Sequence, residues 1–236
     1  MRTVTAVESR AENLPLPVPG RRRLTAPPRP RLRGVSHAFA SVAALVAWFA
    51  LVAVAPSPRA RVAAMIYGAS VFTLFTVSAL YHRRDWSRRA RRIVRALDHS
   101  AIYVMIAGSC TPLAFLLPEP ARTRGLALVW GGAVVGILKV TLWFHAPKKI
   151  GVGLHVLVGW LAVPLFPPLW HALGPGNVLL LVVGGLAYTA GAIIYACRRP
   201  NPYPAVFGYH EVFHALVVAA AAGHFTVAVA AIERMP

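Results

Sequence analysis

Apolar residues in this chain come in long blocks rather than in the short periodic runs of a soluble domain. Charge-poor stretches near residues 36 to 55, 62 to 82, 98 to 117, 125 to 144, 150 to 170, 177 to 197 and 206 to 232 are each long enough to cross a hydrocarbon core about 30 Å thick. Only helices and closed barrels satisfy their own backbone in lipid, and runs of this length are helical. The pattern therefore predicts an all-α integral membrane protein, a seven-transmembrane helix bundle over residues 34–236. The segment before it, 1–33, is rich in Arg and Pro. It cannot bury enough apolar surface to fold alone and reads as a disordered cytoplasmic tail.

Composition agrees with this outline: 57% of the residues are hydrophobic and 14% charged, far from soluble averages. Cys110 and Cys197 are the only cysteines, and each falls within an expected span, so no disulfide framework is indicated. Pro112 in the third span and Pro164, Pro167 and Pro168 in the fifth should bend or break their helices. Gly132, Gly136, Gly184, Gly185 and Gly191 allow close helix approach.

The net charge of +18 would suit a nucleic-acid partner, but its distribution argues otherwise. Eight Arg lie in the tail through Arg33 and seven in the second loop, from Arg83 to Arg95. Lys148 and Lys149 in the fourth loop and Arg198 and Arg199 in the sixth fall on the same side. By the positive-inside rule the N-terminus is cytoplasmic and the C-terminus, after seven spans, is outside. Lys139, near the inner end of the fourth span, is expected to snorkel to the interface. The Arg83 to Arg95 run fixes topology and can dock anionic lipid headgroups. Nucleic acid is excluded as a partner, because only Trp86 is interleaved for stacking and no recognition module is visible. The partners expected are membrane lipids, and the location is the cell membrane.

Within this apolar frame, His210, Glu211, Val212, Phe213 and His214 spell H-E-x-x-H. Residues four apart share a helix face, so His210 and His214 can offer two imidazoles to one metal ion. In soluble proteins the motif marks a metalloprotease with the Glu as base. Topology changes its setting. The second helix ends on the inner side at His82, and the third and seventh begin there, near Asp98 and His210. Ser78 lies one turn deeper than His82 on the same face.

The site expected from these positions is Zn2+ held by His82, His210 and His214, three ligands with a fourth position open, as in catalytic zinc. Asp98 acts as the base or binds the water, although it also suits a helix cap. Ser78 points toward the same centre or hydrogen-bonds a carbonyl one turn back. Glu211 flanks the metal or pairs with Arg83 or Arg84. His37, His145 and His155 line a cytoplasmic vestibule, His99 orients Asp98, His171 lies outside, and His224 is about 15 Å deeper than His214 and serves packing.

The chain resembles the hemolysin III family, the bacterial branch of the progestin and adipoQ receptor superfamily. The resemblance rests on Arg33-Gly34-Val35-Ser36-His37, the Ser78 to His82 element, Leu97-Asp98-His99 through Tyr103, Ala107 to Pro112, and His210 to His214. Cys110 departs from the aromatic residue common before the Thr-Pro pair. The resemblance implies a seven-helix bundle with the N-terminus inside, zinc on the three His, and an Asp, here Asp98, contacting the metal's water. Related eukaryotic members look like ceramide amidases, and Gln can stand at the Glu211 position. Bacterial members are associated with cell lysis and membrane-lipid homeostasis. The functions this leaves open are a zinc-dependent lipid hydrolase, a lipid or fluidity sensor with structural zinc, a cytolytic pore, and an intramembrane protease using Glu211.

Overall fold

A computed structural model describes residues 29–236; the expected disorder of residues 1–28 lies outside the described residues. Among those described, seven helices are long and apolar enough to cross a membrane. They are α1 (Val35–Val54), α2 (Pro58–Arg83), α3 (Arg88–Leu116), α4 (Ala121–Leu142), a fifth span built of α5 (Lys148–Trp160) and α6 (Phe166–Leu173), α7 (Pro175–Cys197) and α8 (Tyr209–Glu233). The seven-span, all-helical expectation holds.

Where the helices start and stop follows local chemistry. Ser57 accepts from the Ala60 N–H and Ser87 from the Ala90 N–H, satisfying donors that the first turns of α2 and α3 leave free. The fifth span is broken as its prolines require. Pro164 has no N–H for the Trp160 carbonyl, so α5 ends there and a 3₁₀ turn at Val163–Leu165 leads into α6. Pro167 and Pro168 then sit in the first turn of α6, where no N–H is needed. Pro112 does not break its helix, and α3 runs on through it. The neighbouring Thr111 hydroxyl donates to the Ala107 carbonyl.

Two boundaries differ from the sequence reading. The basic stretch taken as the second loop is largely helical, because Arg favours helix and α3 begins at Arg88, ten residues before Asp98. Asp98 is therefore inside the helix and caps nothing. The end of the supposed tail is also tied down: the Arg31 and Leu32 N–H groups donate to the Ala205 and Val206 carbonyls at 3.0 and 3.1 Å. This strap crosses the loop before α8 and leads into α1 through Gly34, whose φ of 75° lies in the left-handed region open to glycine.

Sequential helices pack side by side, and α8 closes the bundle against α1, α2, α3 and α7. Leu113, Leu169, Leu181, Val227 and Ala231 form one buried cluster, and Tyr103, Val129, Ala133 and Val158 another. Gly136 lets α4 approach the fully buried Tyr103 ring of α3. Phe39, Val42, Val46 and Phe49 stand exposed along α1, as a lipid-facing surface requires. One end of the bundle gathers the start of α1, the end of α2, and the starts of α3, α5 and α8. The candidate site is there.

Candidate metal centre

His82 occupies the last turn of α2, and His210 and His214 occupy the first two turns of α8. Their Nε2 atoms converge. His210 Nε2 lies 3.2 Å from His82 Nε2 and 3.0 Å from His214 Nε2. His210 and His214 are buried and His82 half-buried.

Hydrogen bonding alone cannot account for this arrangement. A neutral imidazole nitrogen carries either one proton or one lone pair, so His210 Nε2 can satisfy one of its two neighbours and must repel or ignore the other. A cation between them removes the conflict, since all three nitrogens then present lone pairs to it. Two ligands at 2.0 to 2.1 Å from a tetrahedral zinc lie about 3.3 Å apart, close to the spacings found. The residues fit a zinc ion. Among the described residues the cluster contains three His and no carboxylate or thiolate.

Neighbouring side chains hold the cluster's shape. His37, on the first turn of α1, stacks on His214 with ring centres 3.8 Å apart and planes 4° from parallel. Its Nδ1 is 2.9 Å from Ser78 Oγ, so Ser78 does not turn back on its own helix. Phe75 meets the His37 ring edge-on at 5.1 Å, and Tyr195 meets His210 edge-on at 5.2 Å. Asp98 is buried on α3 beside Ser78. It lines the same cavity as the three His but stands outside the cluster itself.

Glu211 is engaged elsewhere. One of its oxygens pairs with Arg33, and the other accepts from the Gly208 N–H at 2.8 Å. The expected partners Arg83 and Arg84 are replaced by Arg33, because the strap delivers that guanidinium to a carboxylate already folded back to cap α8. Gly34 follows at once, packed so closely on His82 that a Cβ there would lie 2.8 Å from the His82 Cβ.

The remaining histidines sort by position. His155 lines the cavity and stacks on Tyr103 at 4.3 Å, whereas exposed His145 does not line it. His99 does not orient Asp98: its Nδ1 is 3.6 Å from that carboxylate and 2.8 Å from the Arg95 carbonyl. His224 lies 3.1 Å from the Leu181 carbonyl, and His171 is exposed on α6. His37, expected only to line the vestibule, packs directly on a member of the cluster. Its position three residues into α1, at the depth of His82, was the available signal.

The cavity that the three His edge has a volume of about 620 Å³, within the range of small-molecule sites. Its mouth is polar and basic. Leu113, Phe166, Leu181 and Val217 line its deeper part.

A seven-span membrane protein with a three-histidine cluster at one end is thus the class that fold and site define. Residues 26–225 match the family model described as Haemolysin-III related. The chain is 29% identical over 195 residues to hemolysin-3 of Bacillus cereus, covering 81% of this chain and 86% of that one. It is 31% identical over 163 residues to a hemolysin-3 homolog of Bacillus subtilis (strain 168), covering 68% and 72%. It is also 33% identical over 179 residues to heptahelical transmembrane protein ADIPOR2 of Oryza sativa subsp. japonica, covering 68% and 78%. The protein belongs to the hemolysin III family, within the progestin and adipoQ receptor superfamily.

Proposed function

We propose that this protein is a zinc-dependent hydrolase of a lipid amide or ester, serving membrane-lipid homeostasis. The observation that carries the reading is the position of the three Nε2 atoms at the edge of a cavity whose mouth is polar and whose deeper part is lined largely by apolar side chains. An amphiphile with its chain in the apolar part brings its first polar linkage to the cluster. By the positive-inside rule this end faces the cytoplasm.

His82, His210 and His214 would hold the ion. A zinc ion held there would supply a Lewis acid, able to lower the pKa of water to about 7 and polarise a carbonyl. The protein's own groups do the rest. Asp98 takes the proton from the attacking water on its carboxylate and returns it to the leaving amine or alkoxide. Ionised Asp98 only accepts hydrogen bonds, so Ser78 serves it by donating its hydroxyl hydrogen. Ser78 Oγ then accepts from His37 Nδ1–H, which selects the His37 tautomer. This makes Ser78 and His37 positioning residues, with His37 also fixing the His214 ring by stacking.

The other readings have less support. A structural zinc would be expected to have a fourth protein ligand, and the cluster offers three. A protease-type base at Glu211 would have to give up both Arg33 and the Gly208 N–H. Hemolysin appears in the names of two relatives, but the apolar side chains that line much of the deeper cavity do not favour a water-filled pore.

The test is metal analysis of the purified protein, with lipid profiling of cells expressing the wild type or Asp98→Asn. One equivalent of zinc in both, with a lipid class altered only by the wild type, is the expected outcome. Zinc well below one equivalent, or identical lipid profiles, would refute the proposal.

A further inference from the structure

The basic residues near the site are not spread evenly around the end of the bundle. Among the described residues, seven cationic side chains line the cavity, against the single carboxylate of Asp98. Two of them are paired, Arg29 with Asp85 and Arg33 with Glu211. Among the described residues, Arg91, Arg95, Lys139, Lys148 and Arg198 have no carboxylate within salt-bridge distance. They come from α3, α4, α5 and the end of α7, so four separate stretches of chain turn charge toward one opening.

Topology signalling does not require that convergence. The positive-inside rule is satisfied by a cation anywhere on the correct side, and Arg83, Arg84, Arg88, Arg89 and Arg92 meet it without lining the cavity. The inward-turned group behaves differently. Lys148 donates from Nζ to the Tyr195 carbonyl at 2.8 Å and sits 3.5 Å above the Tyr195 ring, whose edge meets His210. Lys139, inside α4, brings its Nζ beside Gly151 of α5, 3.0 Å from where a Cβ there would lie. Cations gathered at one opening without counter-charge repel one another, and an anion seated among them relieves that repulsion.

We infer that the lipid taken by this site carries an anionic headgroup, a phosphate or a group of like charge, seated among Arg95, Lys139, Lys148 and Arg198 while its acyl chain fills the apolar depth. The inference rests on the hydrolase reading for the position of the scissile bond between chain and headgroup. A bulk-membrane role for the same charges would draw on the outer arginines equally, and a site for free phosphate would gain nothing from the apolar depth.

Binding tests this without turnover. The full chain, in nanodiscs of neutral phosphatidylcholine, is titrated with a spin-labelled single-chain acylglycerol phosphate and with its phosphocholine counterpart of the same chain. Immobilisation of the label reports binding. The phosphate form should bind on the order of ten-fold tighter or more, given several unpaired cations near it, and the preference should shrink as salt is raised. Arg95→Gln/Arg198→Gln, two exposed rim positions, should reduce the preference to about three-fold or less. Arg88→Gln/Arg89→Gln removes the same charge away from the cavity and should leave it intact.

Equal binding of the two lipids would overturn the inference, as would equal loss in both double variants. Inorganic phosphate competing as well as the lipid phosphate would also overturn it, by making the rim a phosphate site. Hydrolysis of lipids without regard to headgroup charge would sink this inference alone, whereas a charge preference in a protein that hydrolyses nothing would sink only the hydrolase reading.

Discussion

The pair formed by Arg33 and Glu211 should show a specific asymmetry. Glu211 has 3% of its side chain exposed and Arg33 19%. Arg33→Ala strands a carboxylate that water barely reaches, a change that costs about 3 to 5 kcal/mol when such a pair is broken. The Gly208 N–H still bonds Glu211, which places the expected cost near the lower figure. Glu211→Gln differs in kind. The amide oxygen keeps the Gly208 bond, and Arg33 recovers hydration through its exposed part, so the cost should be about 1 kcal/mol. The double variant should therefore be more stable than Arg33→Ala alone. Denaturant titration in detergent measures all three, and zinc analysis gives a second readout. Because the strap presses Gly34 on His82 and Glu211 caps the helix bearing His210 and His214, Arg33→Ala should weaken zinc binding about 10- to 100-fold, as loss of outer-shell support does. Glu211→Gln should retain zinc and most hydrolysis. Arg33→Ala as stable as wild type would refute the reasoning, and so would a Glu211→Gln protein that keeps zinc but loses all activity.

Gly34→Ala combines a left-handed backbone with a Cβ crowding His82; it should cost about 1 to 2 kcal/mol and lower zinc content, read by metal analysis beside a neutral His171→Ala control. His210→Ala should lose zinc and become insensitive to a chelator, whereas chelation should lower the wild type's midpoint of unfolding by removing a ligand bound to the native state. Gly136→Leu drives a side chain into the Tyr103 ring between α3 and α4 and should cost about 1 to 3 kcal/mol or more, visible as reduced folded yield with no specific change in zinc per folded molecule. Ser78→Ala should keep zinc and lower turnover, and a Ser78→Thr variant that restores the hydroxyl should recover part of it.

How much of this was legible in the sequence depended on the range of the interaction that decides each feature. The seven spans were legible because hydrocarbon thickness sets a length that each block meets alone, and the break in the fifth because Pro164 lacks a donor whatever its surroundings. At Pro112 the same local rule does not end the helix, since α3 is held on both sides by α2 and α4 and continues. The start of α3 was hidden because charge was read as loop, while Arg is also a good helix former; that error made Asp98 look like a cap. His210 and His214 were found through their four-residue spacing and His82 through shared depth, which topology supplies without contacts. The partner of Glu211 could not be found that way, since Arg33 reaches it only because residues 31 and 32 pair with 205 and 206, a register that no pattern of apolar residues encodes. The stacking of His37 on His214 was hidden for a related reason. Depth placed the two rings at one level, but only the packing of α1 against α8 sets them face to face. The three His that could hold a metal ion were therefore the more legible part of the site and their supports the less, because candidate ligands announce themselves by type and spacing while supports are chosen by whatever the fold brings beside them.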